Sequence, residues 1–136
     1  MTSGFTPIDN GSATSPGGFT AAAAHAGLKA DGALDVALLV SATHCATAGM
    51  FTKNAMRAAP VIYDADFLGE RPGRVRAIAM NARVANACTG AAGFEAARAM
   101  ARAAEEAVGL SSRTALVLST GVIGVSLSIE KVARGL

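Results

Sequence analysis

The sequence predicts one layered α/β domain with a core of small side chains, and three observations lead to this class. A chain of 136 residues is about the size of a single domain with a buried interior. Hydrophobic residues make up 51% of the chain but aromatic residues only 4%, so alanine and aliphatic side chains must fill the core. Short apolar runs are separated by one long helical pattern, which is typical of layered α/β folds.

The chain begins with a polar segment and then becomes apolar. Residues 1–18 are rich in Gly, Ser, Thr and Pro and show little periodicity, so we predict a flexible tail there. Regular structure should begin near Phe19, and residues 19–28 are interpreted as a helix. Residues 35–41 are an apolar run bounded by Gly32 and small polar residues, which is typical of a strand inside a sheet.

Three further strands are predicted in the middle of the chain. Residues 46–52 are interpreted as the neighbour of the first strand. Pro60 cannot donate to a central ladder, but the β-rich residues 61–63 that follow it predict a short strand. In residues 74–80, two arginines alternate with apolar residues before the pattern becomes wholly apolar, which predicts a strand that enters the core.

Residues 91–108 show the clearest helical pattern. Apolar residues line one face at helical spacing, namely Phe94, Ala97, Ala101, Ala104 and Val108. Gly109 is a natural stop for this helix. The charged residues of the opposite face are predicted to form weak, solvent-exposed pairs without a functional role: Glu95 with Arg98, and Arg102 with Glu105 and Glu106. A short helix is predicted at residues 127–134.

Charge and composition exclude several classes of protein. The net charge is only +2 and basic residues are interspersed with acids, so no stripe exists for a nucleic-acid backbone. Two cysteines are too few for a disulfide framework, and no leader pattern is visible, which favours the cytoplasm. The charge-free residues 114–129 are too short and too glycine-interrupted for a membrane span, so we expect no membrane association.

The most informative chemistry follows the apolar, strand-like residues 115–118. The next six residues, STGVIG at 119–124, place a hydroxyl at Thr120 and a sterically open backbone N–H at Gly121. Two adjacent donors of this kind can hold a developing oxyanion. The same residues are also compatible with an ordinary strand exit.

Other reactive side chains form weaker patterns. His44 and Cys45 are adjacent, but neighbouring side chains of a strand point to opposite faces. Together with His25 and Cys88, these two residues could supply four zinc ligands, but the four positions lack the usual spacing of zinc ligands. The acidic candidates for acid–base chemistry are interpreted mainly as turn and loop residues: Asp31, Asp35, Asp64 and Asp66. No phosphate-loop or dinucleotide motif is present.

Four ordered blocks together resemble one family, the glutamate N-acetyltransferases, also called ornithine acetyltransferases (ArgJ). The blocks are PGGF at 16–19 with GLK at 27–29 and DVA at 35–37; AGMFTKN at 48–54 with AAPV at 58–61; NARVANACTG at 81–90; and STGVIG at 119–124. The similarity extends from Pro16 to the end of the chain. It therefore divides the sequence into a tail at residues 1–15 and an α-chain domain at residues 16–136.

The resemblance implies a specific activity in arginine biosynthesis. A precursor cleaves itself before a threonine, which becomes the nucleophile at the start of a β chain. This threonine takes the acetyl group of N2-acetylornithine and passes it to glutamate, without a metal or organic cofactor. Thr120 and Gly121 would supply the oxyanion hole. The implied fold is a layered α/β/β/α sandwich of the DmpA/ArgJ type, completed by the β chain within an α2β2 heterotetramer.

Departures from the family pattern affect what is expected of this chain. Ala82-Arg83-Val84 replaces the usual Ser-Gly-Asn, so Arg83 should lose access to positive φ, and the loop should differ in shape or be strained. Asn81 and Asn86 are interpreted first as structural turn residues. The family's α chain normally continues beyond the position of Leu136, so this chain alone should be inactive.

Two other functions remain compatible with the sequence. One is a non-catalytic subunit or small-ligand binding module, in which the 119–124 segment binds an anion or packs against a partner. The other is a self-cleaving aminopeptidase or amidohydrolase of the same fold.

Overall fold

The computed structural model describes Gly4 and residues 6–136. In this part of the chain, one four-stranded sheet is combined with three helices. The elements follow in the order β1 (Phe19–Ala24), β2 (Val36–Cys45), α1 (Ala59–Glu70), β3 (Val75–Asn81), α2 (Gly90–Ala107), β4 (Ala115–Ser119) and α3 (Ile129–Gly135). The predicted layered α/β class is confirmed.

The strands lie in the order in which they occur along the chain. β1 pairs antiparallel with β2, and β2 pairs antiparallel with β3. β3 and β4 are parallel, with Ala79 opposite Val117, and the long helix α2 makes the crossover that a parallel pair requires. The carboxyl ends of β3 and β4 therefore lie side by side, which brings residues 81–87 next to residues 119–124.

Small side chains fill the space between the sheet and the helices, as the composition predicts. One sheet face contributes alanine and valine residues to a cluster with α2 and α3; its most buried members include Ala77, Ala79, Ala115, Val117, Ala97, Met100, Ala104 and Val132. Alanine on both surfaces allows the helices to approach the sheet closely. α2 contributes Ala97, Met100, Ala101 and Ala104 to the buried part of this cluster, which agrees with its predicted apolar face, except that Val108 is exposed.

Helix α1 covers the outer edge of β4. The Tyr63 hydroxyl donates to the Ala115 carbonyl at 3.2 Å, and Asp64 Oδ1 accepts from the Val117 N–H at 3.0 Å. These outward backbone groups would otherwise be unpaired at the sheet edge. The predicted strand at residues 61–63 is therefore wrong: Pro60 lies in the first turn of a helix, where its missing N–H is not needed.

Two other predicted elements are also corrected. Residues 19–24 form a strand rather than a helix, because pairing with β2 outweighs the helix propensity of the alanines. Residues 46–52 form no regular element. The strands expected at 35–41 and 74–80 and the helices expected at 91–108 and 127–134 are confirmed with small shifts of their ends.

The sheet face opposite the helices is apolar and largely uncovered. We call it the open sheet face; it consists of Ala21, Ala23, Ala37, Leu39, Ile78, Met80 and Leu118, which are neighbours across the paired strands. None of these seven residues is fully buried, and Leu118 is 52% exposed, whereas Leu116, opposite Ile78 on the same face, is buried in a cluster with Phe67 of α1. The described residues thus form a helix layer and a sheet layer, with the second sheet face available to a partner.

The N-terminal segment lies outside this arrangement. Of the predicted tail, residues 1–3 and 5 are outside the described residues, whereas residues 6–15 are exposed and contain only turns and irregular backbone. Its flexibility stays a prediction. Among the described residues, no helix has the length and apolar character needed to cross a membrane.

Candidate active site

The segment after β4 is held against the segment after β3 by a ladder of backbone hydrogen bonds. Thr120 N–H donates to the Asn81 carbonyl at 3.1 Å, and Val122 N–H donates to the Arg83 carbonyl at 2.9 Å. Gly124 N–H then donates to the Ala87 carbonyl at 2.9 Å. Because alternate N–H groups are engaged, residues 119–124 form a fixed turn at the carboxyl end of the sheet; we call it the 119–124 turn.

Asparagine side chains brace the neighbouring 81–87 loop. Buried Asn81 accepts from the Ser119 hydroxyl at 2.6 Å and donates to the Val84 carbonyl at 2.9 Å. Fully buried Asn86 donates to the Gly93 carbonyl at 2.8 Å and so connects this loop to α2. The structural roles predicted for both asparagines are confirmed.

The two segments touch most closely at Gly121 and Arg83. Gly121 has φ 137, and an ideal Cβ at this position would overlap the carbonyl carbon and oxygen of Arg83. Only glycine fits there. Arg83 itself has φ 79, so the expectation that arginine loses positive φ is wrong, whereas the predicted alternative of a strained loop is confirmed.

Thr120 and Gly121 present free donors on this braced turn. Thr120 is exposed, and no described residue hydrogen-bonds its hydroxyl. The Gly121 N–H lies between the engaged N–H groups of Thr120 and Val122 and has no backbone partner among the described residues. The two donors that the sequence predicts therefore belong to adjacent, exposed residues on a fixed backbone, and neither has a partner among the described residues.

The 119–124 turn borders the open sheet face. A shallow depression of about 220 Å³ is lined by Thr120 together with Met80, Ala37 and Ala23 of that face. Another cleft, of about 340 Å³, lies between α1 and α2 and contains neither Thr120 nor Gly121. A partner that covers the open sheet face would therefore bring its own groups to Thr120.

Asp35 shapes the chain beside this depression and is a structural anion. Its side chain is inaccessible and accepts from the N–H groups of Ala26, Leu28 and Lys29 at 2.6, 2.6 and 2.8 Å. Burial alone would raise the pKa of Asp35, but these bonds hold it below the usual value. The Asp35 carbonyl accepts from the Ala82 N–H at 2.9 Å, which connects this loop to the site.

The other reactive side chains remain dispersed. The His44 ring contacts the Arg74 carbonyl, and Cys45 and Cys88 are both free thiols. Residues 6–136 contain no group of three or more His, Cys, Asp or Glu residues that could hold a metal ion.

The fold and the site define a class of protein: a layered, mixed α/β domain with a hydroxyl and a backbone N–H as adjacent donors at the end of a parallel strand. A model of the ArgJ family matches residues 20–136. The chain belongs to this family.

Individual relatives support the assignment. The chain is 45% identical over 121 residues to the arginine biosynthesis bifunctional protein ArgJ of Thermotoga neapolitana, a match that covers 89% of this chain and 30% of that protein. The corresponding protein of Symbiobacterium thermophilum is 44% identical over 128 residues, covering 93% of this chain and 31% of its own length. The chain thus spans about 30% of these relatives and corresponds to their N-terminal part.

Solved structures show the same fold. The crystal structure of the ArgJ protein of Bacillus halodurans superimposes with a TM-score of 0.87 at 30% identity, covering 93% of this chain and 65% of that one. The crystal structure of the ornithine acetyltransferase of Mycobacterium tuberculosis, solved with ornithine, gives a TM-score of 0.75 at 40% identity. The match covers 89% of this chain and 65% of that one.

Proposed function

We propose that this chain is the α-chain part of an ornithine acetyltransferase, in which Thr120 and Gly121 form the oxyanion hole. The observation that carries this proposal is the pair of unengaged donors, the Thr120 hydroxyl and the Gly121 N–H, on a turn that three other N–H groups fix to the neighbouring loop. Donors held in advance stabilise a developing negative charge without reorganising during the reaction. Family membership and the ornithine complex of a relative support the choice of substrate class.

The reaction is an acetyl transfer in two steps. The hydroxyl oxygen of a threonine at the start of the β chain attacks the acetyl carbonyl of N2-acetylornithine, with the threonine's own amine as base. The C–O bond forms, the C–N bond breaks, and ornithine leaves with the proton on its α-amine. The α-amine of glutamate then attacks the acetyl-threonine, so that N-acetylglutamate forms and the hydroxyl regains its proton. Both steps pass through a tetrahedral oxyanion beside Thr120 and Gly121.

The open sheet face supports a β chain as the partner. This face is apolar and borders Thr120, so a second sheet packed on it would complete the α/β/β/α sandwich and deliver the nucleophile to the oxyanion hole. Two such α/β units would form the α2β2 heterotetramer. We place the enzyme in the cytoplasm, with residues 16–136 as the working domain, residues 1–15 as a flexible tail, and no metal or organic cofactor in the reaction.

The substitution Thr120→Ala in the complete α/β complex tests the role of the hydroxyl. Loss of one oxyanion donor should lower kcat by about 100-fold to 1000-fold. The melting temperature should stay close to that of the wild type, because the exposed hydroxyl has no partner among the described residues. Thr120→Ser, which keeps a hydroxyl, is the matched control and should retain much of the activity. An unchanged kcat in Thr120→Ala would remove Thr120 from the mechanism.

Mass spectrometry of the complex separates the proposal from the two other functions. After incubation with N2-acetylornithine, an acetyl increment on the partner's threonine that disappears when glutamate is added supports the transferase. Release of acetate or amino acid without transfer to glutamate supports a hydrolase of the same fold. A complex that forms no acetyl adduct behaves as a binding module.

A further inference from the structure

Ser119 and Asn81 are joined at the point where the candidate active site begins. Ser119 is the last residue of β4 and Asn81 the last of β3, and the two are opposite each other in the parallel pairing of these strands. Their side chains therefore project from the same face of the sheet. The Ser119 hydroxyl donates to Asn81 Oδ1 at 2.6 Å, which is near the short end of the range for a hydroxyl donor.

The surroundings of Asn81 determine which atom donates in this bond. Asn81 Nδ2 donates to the carbonyls of Ala82 and Val84 at 3.2 and 2.9 Å, where an amide oxygen would meet only acceptors. Oδ1 therefore faces Ser119 and can only accept, so the serine hydroxyl must donate. Asn81 is 3% exposed, so removal of this hydroxyl would leave Oδ1 without a partner among the described residues and away from water.

This bond and the Thr120 side chain lie on opposite sides of the sheet. Ser119 continues the face of β4 that carries Ala115 and Val117, which is the face that the helices cover. Thr120 instead lines the depression at the open sheet face, and Ser119 does not line it. The serine hydroxyl is therefore on the far side of the strand from the place where a substrate would meet Thr120.

Asn81 holds the backbone of the turn at two successive residues. Its side chain accepts from Ser119, and its backbone carbonyl accepts from the Thr120 N–H at 3.1 Å. Together these bonds fix residue 119 and the peptide that leads into residue 120, and so set the direction in which the Thr120 side chain leaves the backbone. An oxyanion donor depends on this direction, because a misplacement of about 1 Å can cost about 100-fold in rate.

We propose that Ser119 is a positioning residue for the oxyanion hole: its bond to Asn81, made on the helix side of the sheet, aims the Thr120 hydroxyl at the reacting carbonyl on the open side. This inference rests on the proposed function. Ser119 does not touch the substrate, so its whole contribution passes through Thr120 and vanishes when the Thr120 hydroxyl is absent. The effect is on the transition state, where the negative charge develops, rather than on substrate binding.

A double-mutant cycle in the complete α/β complex tests this dependence. Ser119→Ala should lower kcat for N2-acetylornithine by about 10-fold to 100-fold and change KM by less than about 2-fold. In a Thr120→Ala background, the added Ser119→Ala change should lower kcat by less than about a further 2-fold, because the hydroxyl that it aims is already gone. Ser119→Thr keeps a hydroxyl donor and should retain kcat within about 3-fold of the wild type.

Thr89→Ala is the matched control for a lost hydroxyl. Thr89 Oγ1 donates to Oδ1 of buried Asn86 at 3.0 Å, a bond of the same kind just beyond the 81–87 loop. This variant should lower the melting temperature about as much as Ser119→Ala does, with kcat nearly unchanged. If Ser119→Ala gives no folded complex, Ser119→Cys, which has a similar size and a weaker donor, takes its place in the cycle.

Four results would overturn the inference: a wild-type kcat in Ser119→Ala, a change mainly in KM, an equal loss of kcat in Thr89→Ala, or a loss that is just as large in the Thr120→Ala background. In the last case Ser119 would act independently of the Thr120 hydroxyl. An unchanged kcat in Thr120→Ala alone would instead overturn the proposed function.

Discussion

Gly121 lies directly against the backbone of Arg83. A Cβ on Gly121 would overlap the Arg83 carbonyl group, so the contact requires glycine at position 121. Val122 N–H donates to that same carbonyl at 2.9 Å. The contact therefore fixes the 119–124 turn against the 81–87 loop, and with it the direction of the Gly121 N–H.

Gly121→Ala should displace this turn. A backbone clash cannot be relieved by moving a flexible side chain, so we expect a loss of about 2–4 kcal/mol in the free energy of unfolding and at least a 100-fold drop in kcat. Gly124→Ala is the matched control: its φ is 77, but a Cβ there meets open space, so the loss should be about 1 kcal/mol with little change in kcat. Urea unfolding and steady-state kinetics measure both, and equal effects would contradict the close contact.

Asp35→Asn should destabilise the protein by about 2–4 kcal/mol, because an amide cannot accept all three N–H groups that the carboxylate binds. Asp31→Asn, an exposed change in the same loop, should cost less than about 1 kcal/mol. Because folding lowers the pKa of Asp35, its carboxylate contributes stability above the pKa of the unfolded chain, and this contribution is lost as the pH falls through the lower pKa of the folded protein. Unfolding curves that keep the wild-type acid dependence in Asp35→Asn would argue against this assignment.

Asp64 should produce the opposite pH dependence. Burial raises the pKa of Asp64 to about 7, although the Val117 N–H lowers it. A carboxyl whose pKa is raised on folding contributes stability at low pH that is lost as pH rises from about 4 to about 7. Asp64→Asn keeps an oxygen for the Val117 N–H and cannot ionise, so at pH 8 it should be more stable than wild type by about 1–2 kcal/mol, allowing for partial solvent screening.

The difference between Asp64→Asn and wild type should vanish near pH 4. Thermal melts from pH 4 to pH 8 measure it, and Asp66→Asn on the same helix controls for the loss of one negative charge. A constant difference across this range would show that ionisation of Asp64 is not its cause.

Leu118→Lys should prevent assembly, because it places a charge on the open sheet face where a second sheet would pack. Val108→Lys is the control, since Val108 is 40% exposed but lies at the end of α2, in the helix layer. Co-purification with the β chain and size-exclusion chromatography report the outcome. Complexes that form equally well with both variants would place the partner elsewhere.

Glu105 shows how local patterns can mislead about a charged residue. Its position on the polar face of α2 predicts a solvent-exposed pair with Arg102, and the neighbouring pair of Glu95 with Arg98 does form, at 3.4 Å. Glu105 is instead buried, and its Oε1 accepts from the N–H groups of Thr114 and Ala115 at 2.7 and 3.0 Å. A helical wheel cannot reveal that the N–H groups of Thr114 and Ala115, nine and ten residues further along the chain, lie beside this position at the start of β4.

The elements that the sequence predicts for the regions of β1 and α1 are wrong for a related reason. The alanines of residues 21–24 favour a helix and the branched residues 61–62 favour a strand, but both preferences are weak beside tertiary pairing. β1 gains a full register of hydrogen bonds with β2. As a helix, α1 places Tyr63 and Asp64 where their side chains hydrogen-bond the backbone at the edge of β4.

By itself, the sequence determined the layered α/β class, the small-residue core and the long helix α2, and it identified Thr120 and Gly121 as candidate donors, because hydrophobic periodicity and short motifs are local properties. Only the tertiary structure decided which strands pair, that one sheet face remains open, and that Arg83 is held at positive φ against Gly121. Those features depend on backbone groups that are distant in sequence and meet only when the carboxyl ends of β3 and β4 lie side by side.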